Sequence, residues 1–68
     1  MTTSVGDDYP KQQQRIQECL EHGLEIGPAG GFYVAAARDL LRRSQEAAIS
    51  GDVVAQVRLY QEMLEFAD

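Results

Sequence analysis

Two glycine-containing breaks divide the sequence into three segments with helical periodicity. The first break is Gly27-Pro28-Ala29-Gly30-Gly31 and the second is Ser50-Gly51-Asp52. Beside and between these breaks, apolar residues recur at three- and four-residue spacing, which places them on one face of a helix. The sequence therefore predicts an all-α module of three helices.

The predicted helices span residues 9–24, 32–50 and 52–67. Gly23 can end the first helix in a left-handed conformation, or that helix can continue to Gly27-Pro28. Gly51 is placed to end the second helix, and Asp52 is placed to cap the third. Because the joint between them is so short, the second and third helices are predicted to form an antiparallel hairpin with the first packed across it.

The amino-terminal segment differs in character from the rest of the chain. Residues 1–8 are small, polar and acidic and show no periodicity, so we expect a disordered acidic leader before a single helical domain, residues 9–68. Asp7 and Asp8 can accept hydrogen bonds at a helix start, and Pro10 suits a first helical turn. The first helix is therefore expected to begin near residue 9.

A chain of 68 residues needs more than its own core for comfortable stability. Such a core supplies roughly 3–5 kcal/mol, and small natural chains add disulfides, a metal or a second subunit. The single cysteine, Cys19, excludes an intrachain disulfide. Cys19 and His22 would supply half a zinc site only if a dimer joined two such halves, and a packed cysteine beside a solvent-facing histidine is the simpler interpretation. We therefore expect a homodimer without a metal.

The third helix carries apolar residues on two sides. One side is predicted to pack against the second helix, and it comprises Val53, Val54, Val57, Tyr60 and Leu64. The other side comprises Leu59, Met63 and Phe66. Since a small helix that is apolar on two sides is usually buried on both, this second side is predicted to meet another chain. Glu62 and Glu65 would form its polar rim, and Phe32 is a further apolar residue outside the main stripe of the second helix.

The second side could serve either a homodimer or a separate target protein. If it serves the dimer, the acidic face of the first helix becomes the better target site, and this face comprises Glu18, Glu21 and Glu25. That face is otherwise interpreted as a solvated surface. On the second helix, Arg38, Arg42 and Arg43 lie near Asp39 and Glu46 at spacings that predict local ion pairs.

The sequence contains no recognisable catalytic or cofactor site. Cys19 with His22 is the one thiol–histidine pair, and its spacing supplies no third group to orient the histidine. The glycine-rich break lacks the lysine and hydroxyl of a phosphate-binding loop, so it is interpreted as a turn. We predict a protein that is not an enzyme and binds no cofactor.

Charge and hydropathy indicate a cytoplasmic protein. A net charge of −5 disfavours direct contact with nucleic acid or an anionic membrane. The longest apolar run, residues 32–37, is far shorter than the ~20 residues that span a bilayer. The first eight residues lack the features of a secretory signal.

The segments Gly27-Pro28-Ala29-Gly30 and Ser50-Gly51-Asp52-Val53-Val54, followed by Tyr60, resemble those of small helical proteins from bacteriophages and prophages. The resemblance implies a class of inhibitors that bind a host machine in the host cytoplasm, anti-CRISPR proteins among them. The expected function is a non-enzymatic module that occupies a surface of a host protein complex. Two alternatives stay open, namely a structural or assembly subunit of a larger phage complex and an acidic nucleic-acid mimic that binds a basic groove.

Overall fold

Three α-helices joined by two tight connections make up the fold. A computed structural model describes residues 5–66. Helix α1 spans Val5–Ile26, α2 spans Gly31–Ser50 and α3 spans Val53–Glu65, with a short 3₁₀ turn at Pro28–Gly30 between the first two. Within these residues there is no strand, and the predicted all-α class is confirmed.

Helix α1 begins earlier than predicted. Its first residue is Val5, so the prediction of a disordered leader is wrong for residues 5–8, and residues 1–4 lie outside the described part. Pro10 consequently lies inside the helix and not in its first turn. A proline there crowds the carbonyl four residues earlier, which belongs to Gly6. Asp7 and Asp8 occupy the first turn, where carboxylates interact favourably with the helix dipole.

Gly23 is a packing residue and does not end α1. The helix continues to Ile26 and stops at Gly27, whose φ of 86° is left-handed, which is the second of the two predicted ends. A Cβ atom on Gly23 would lie 2.7 Å from Cγ2 of Val34 and 2.9 Å from Cδ1 of Tyr33. A Cβ atom on Gly30 would lie 2.5 Å from the carbonyl oxygen of Gly23. The end of α1 and the start of α2 therefore approach closely because both positions lack a side chain.

The joint between α2 and α3 follows the predicted capping rules. Gly51 ends α2 with a left-handed φ of 72°, and the Asp52 side chain accepts a hydrogen bond from the backbone N–H of Ala55 at 3.1 Å. The Gln56 amide donates to the carbonyl of Ala47 at 3.1 Å, near the joint. At the far end the rings of Tyr33 and Phe66 lie 5.2 Å apart, so the two helices run antiparallel.

Helix α1 packs across both helices of this hairpin. The Tyr9 hydroxyl donates to the backbone carbonyl of Ser44 at 2.7 Å, and the Gln13 amide donates to the fully buried Ser44 hydroxyl at 3.2 Å. Arg15 donates to the carbonyls of Met63 and Phe66 at the end of α3. A cation suits a helix carboxyl terminus, where unpaired carbonyls and the negative end of the dipole meet. The apolar core lies between the three helices and comprises Tyr9, Ile16, Leu20, Val34, Ala37, Leu40, Ala47, Leu59 and Met63.

The side of α3 that was predicted to face outward is buried, and the side that was predicted to be buried faces outward. Leu59 and Met63 are 7% and 0% exposed, and Phe66 is half-buried against Tyr33. The other side faces outward, with exposures of 68%, 64%, 40% and 41% for Val53, Val54, Val57 and Leu64. The prediction that the valine side packs against α2 is therefore wrong. Both sides carry long side chains, Leu59 and Met63 inward and Leu64 outward, so periodicity and side-chain size do not show which side the turn directs inward.

Replacing Gly23 with alanine tests the close approach of α1 to α2. An alanine inside a helix normally stabilises it by about 1 kcal/mol relative to glycine. At Gly23 the added methyl meets Val34 and Tyr33, so Gly23→Ala is expected to lower the free energy of unfolding by about 1–3 kcal/mol. Urea denaturation followed by circular dichroism measures this change.

Gly31→Ala is the matched control. Gly31 has right-handed helical angles, and nothing lies within 4 Å of a Cβ atom placed there. Its substitution is expected to leave the protein equally stable or slightly more stable. Equal effects at positions 23 and 31 would contradict the close-packing role of Gly23.

Candidate protein-interaction surface

The outward side of α3 presents a line of four apolar side chains, of which three are exposed and one, Tyr60, is half-buried. Val53, Val57, Tyr60 and Leu64 follow one another at spacings of four, three and four residues, and we call these four residues the α3 stripe. At a rise of 1.5 Å per residue the stripe is about 16 Å long. Val54 lies at its edge and is also exposed. The stripe is thus exposed at Val53, Val57 and Leu64, and the fold partly covers it at Tyr60.

The borders of the stripe on α3 are uncharged. Gln56 flanks it on one side, half-buried and bonded to the carbonyl of Ala47, and Gln61 flanks it on the other and is exposed. The charged residues of α3 line the α2–α3 grooves, as Arg58 and Glu62 do. The α3 residues beside the stripe are therefore neutral amides, whereas α1 brings the Asp8 carboxylate to the Tyr60 hydroxyl in its middle.

Tyr60 is held in place by α1. Its hydroxyl donates to Oδ2 of Asp8 at 2.7 Å, and the Gln12 amide donates to the same oxygen at 3.1 Å. The hydrogen bond from Tyr60, followed by that from Gln12, holds the pKa of Asp8 below its ordinary value. The Asp8 carboxylate in turn raises the pKa of Tyr60. These bonds fix the ring in the middle of the stripe and tie the start of α1 to α3.

The residues predicted as partner anchors do not form one surface. Leu59 and Met63 lie in the core, and Phe66 stacks on Tyr33, so the exposed apolar surface of α3 is the α3 stripe. Phe32 is 90% exposed at the start of α2. The predicted polar rim faces α2, where Glu62 accepts from Arg43 at 3.3 Å and Glu65 lines a groove with Phe66.

The acidic face of α1 is solvent-exposed. Glu18, Glu21 and Glu25 all lie on the side of α1 that faces away from the core. His22 is exposed as well, whereas Cys19 is half-buried and hydrogen-bonded to Tyr33, which raises the pKa of that tyrosine. The predicted packing of the cysteine beside a solvent-facing histidine is confirmed.

The arginine cluster of α2 forms the predicted local ion pairs. Arg42 contacts Asp39 and Glu46, each at 2.7 Å, and Arg43 contacts Asp39 at 2.9 Å. The bond from Arg42, followed by that from Arg43, holds the pKa of Asp39 below its ordinary value. Arg43 also reaches Glu62 on α3, so these charges are largely neutralised within the chain.

Concave surfaces in residues 5–66 include two open grooves between α2 and α3. The larger has a volume of ≈ 570 Å³ and a floor that includes Ala47, Ala55 and Leu59. The smaller has a volume of ≈ 330 Å³, and Arg43 and Glu62 line both grooves. Across the same residues, no group of three histidine, cysteine or carboxylate side chains is arranged to hold a metal ion. None of the described helices has the length and hydropathy to cross a membrane.

Comparison with known proteins does not place the chain in a family. No protein-family model, no curated protein and no solved structure matches it. The surfaces of the molecule itself therefore provide the basis for assigning a function.

Removing the Tyr60 hydroxyl tests the link between α1 and the stripe. Because that hydroxyl is the main cause of the lowered Asp8 pKa, Tyr60→Phe is expected to raise the Asp8 pKa toward the ordinary value of 3.8. A carboxylate with a lowered pKa in the folded state stabilises the fold above the unfolded pKa, and this contribution is lost as the pH falls through the folded pKa. Carbon-13 NMR titration of the Asp8 carboxyl group measures the change. An unaltered titration curve in Tyr60→Phe would show that the hydrogen bond does not form in solution.

Proposed function

We propose that this protein is a non-enzymatic protein-binding module that occupies a surface of another protein through the α3 stripe. The supporting observation is that α3 is apolar on two sides, while the fold buries one of them and leaves Val53, Val57 and Leu64 exposed on the other. Exposed apolar patches with polar rims mark protein-interaction sites. The α3 stripe, with Gln56 and Gln61 at its borders, has this composition.

The stripe is also suited to binding energetically. Apolar area removed from water contributes roughly 25 cal/mol per Å², and valines and a leucine provide that area here. A tyrosine lies inside the line, and tyrosine is enriched among the residues that dominate interface energies. The Tyr60 hydroxyl is already bonded to Asp8, which also accepts a hydrogen bond from Gln12. The tyrosine ring therefore loses little conformational freedom when a partner packs on it.

The resemblance to small phage and prophage proteins indicates which kind of target the proposed module would bind. An inhibitor or regulator of a host protein complex, acting in the host cytoplasm as anti-CRISPR proteins do, requires a folded surface and no catalytic centre. A structural or assembly subunit of a larger phage complex is the alternative, and a permanent neighbour would then cover the same stripe. The two differ in whether the partner is separately folded or is always isolated together with this chain.

Site-specific photocrosslinking tests whether the stripe is a binding surface. A photoreactive amino acid at position 57, introduced in the cells that produce the protein, is expected to yield discrete covalent adducts. The same amino acid at position 49 is the matched control, since Ile49 is 87% exposed on α2 and lies outside the stripe. Adducts of equal yield at both positions, or none at position 57, would contradict the proposal.

A second candidate function follows from the exposed acidic face of α1. Glu18, Glu21 and Glu25 lie on one outward side of a chain whose net charge is −5, which suits an acidic mimic of nucleic acid that binds a basic groove. For such a mimic, target binding is expected to weaken steeply with salt and to weaken further when these three residues are replaced by glutamine. Calorimetry at low and high salt measures this binding. The substitution Leu64→Lys distinguishes the two functions, because it would abolish docking through the stripe and leave binding by an acidic mimic unchanged.

A further inference from the structure

We infer that the side of the α2–α3 hairpin that faces away from α1 binds a basic, amphipathic helix of another protein. This side carries the two grooves between α2 and α3, and no residue of α1 lines either of them. We call the two together the open groove, and its apolar floor comprises Ala36, Leu40, Ala47, Ala55 and Leu59. The open groove lies on a different side of α3 from the stripe, so the inference goes beyond the proposed function and does not depend on it.

The two grooves are continuous along the hairpin. Arg43 and Glu62 line both of them, so the ion pair between these residues lies where the grooves meet. The pair is 3.3 Å long, and its side chains are 41% and 47% exposed. Exposed ion pairs are weak, so a basic side chain of a partner can replace Arg43 at Glu62. From Ala36 to Ser50 the open groove is about 21 Å long, at a rise of 1.5 Å per residue of α2.

The occupant is a helix because the hairpin already binds a helix on its other side. There α1 packs across α2 and α3, with Ile16 and Leu20 in the core and Arg15 at the carboxyl end of α3. The Cα extents of 37 × 28 × 14 Å correspond to two layers of helices, since packed helices lie roughly 8–10 Å apart. Within residues 5–66 no third layer covers the hairpin, and the alanines in the floor of the open groove let another helix approach closely.

The charges along the open groove favour a basic partner. Its carboxylates are those of Asp39, Glu46, Asp52, Glu62 and Glu65, and its guanidinium groups are those of Arg43 and Arg58. Arg42 also pairs with two of these carboxylates, yet the carboxylates still outnumber the arginines. A second copy of a chain with net charge −5 would bring the same surplus and be repelled. A helix with lysines and arginines beside an apolar face instead complements both the rims and the floor.

Two synthetic peptides test the charge of the partner. Each has about 14 residues, which as a helix matches the length of the open groove. The first peptide has leucine at every third or fourth position and lysine elsewhere, and the second has glutamate in place of lysine. Fluorescence anisotropy of the labelled peptides at about 0.15 M salt measures binding to the purified chain. The lysine peptide is expected to bind with a Kd in roughly the micromolar range, and the glutamate peptide with a Kd about tenfold higher or more.

Two triple variants with the same change of charge locate the bound lysine peptide. One combines Glu46→Gln, Glu62→Gln and Glu65→Gln in the open groove, and the matched control combines Glu18→Gln, Glu21→Gln and Glu25→Gln on α1. All six glutamates are exposed, and circular dichroism checks that both variants stay helical. The groove variant is expected to raise the Kd roughly tenfold and the α1 variant less than about threefold, because charges more than about 8 Å from the peptide are screened at this salt.

The substitution Leu64→Lys separates the open groove from the stripe, and it is expected to leave binding of the lysine peptide unchanged within about twofold. Loss of binding in Leu64→Lys would place the peptide on the stripe and overturn the inference. Equal binding of the two peptides, or equal effects of the two triple variants, would overturn it as well. So would no binding of the lysine peptide up to about 1 mM. The proposed function fails separately, because it predicts adducts at position 57, which lies outside the open groove.

Discussion

The close approach of α1 to the start of α2 determines how the rest of the molecule is arranged. Gly23 and Gly30 meet backbone to backbone, and either position would collide with its neighbours if it carried a Cβ atom. With that end of α1 fixed, the other end passes over the hairpin, where Tyr9 bonds to Ser44 and Arg15 reaches the last carbonyls of α3. The position of α1 thus decides which side of α3 is enclosed.

Polar groups at these contacts are satisfied within the chain. Ser44 is fully buried, yet its hydroxyl donates to the carbonyl of Leu41 and accepts from Gln13. Among the described residues, no buried side-chain nitrogen or oxygen lacks a hydrogen-bond partner. Since an unpaired buried polar group costs more than a hydrogen bond gains, this pairing fixes α1 on the hairpin in one orientation. A single orientation in turn gives α3 one defined outer surface.

The sequence predicted the features that local rules control. Gly51 and Asp52 follow capping rules that depend only on neighbouring residues, and both were placed correctly. The sequence does not predict the start of α1, because residues 5–8 show no apolar periodicity, although Asp7 and Asp8 suit a helix's first turn. The two apolar sides of α3 were recognised, but periodicity cannot show which side faces α1. Side-chain length gives no signal either, since a leucine lies on each side, Leu59 inward and Leu64 outward.

The hydrogen bond between Tyr60 and Asp8 has a consequence for recognition at the stripe. Because the hydroxyl is already engaged within the chain, the surface proposed for binding presents a ring and aliphatic groups and few directional bonds. Affinity there depends on shape and apolar area, which change gradually when one hydrophobic residue replaces another. Such a surface can shift between partners through small substitutions, whereas a site built on hydrogen bonds would lose its partner abruptly.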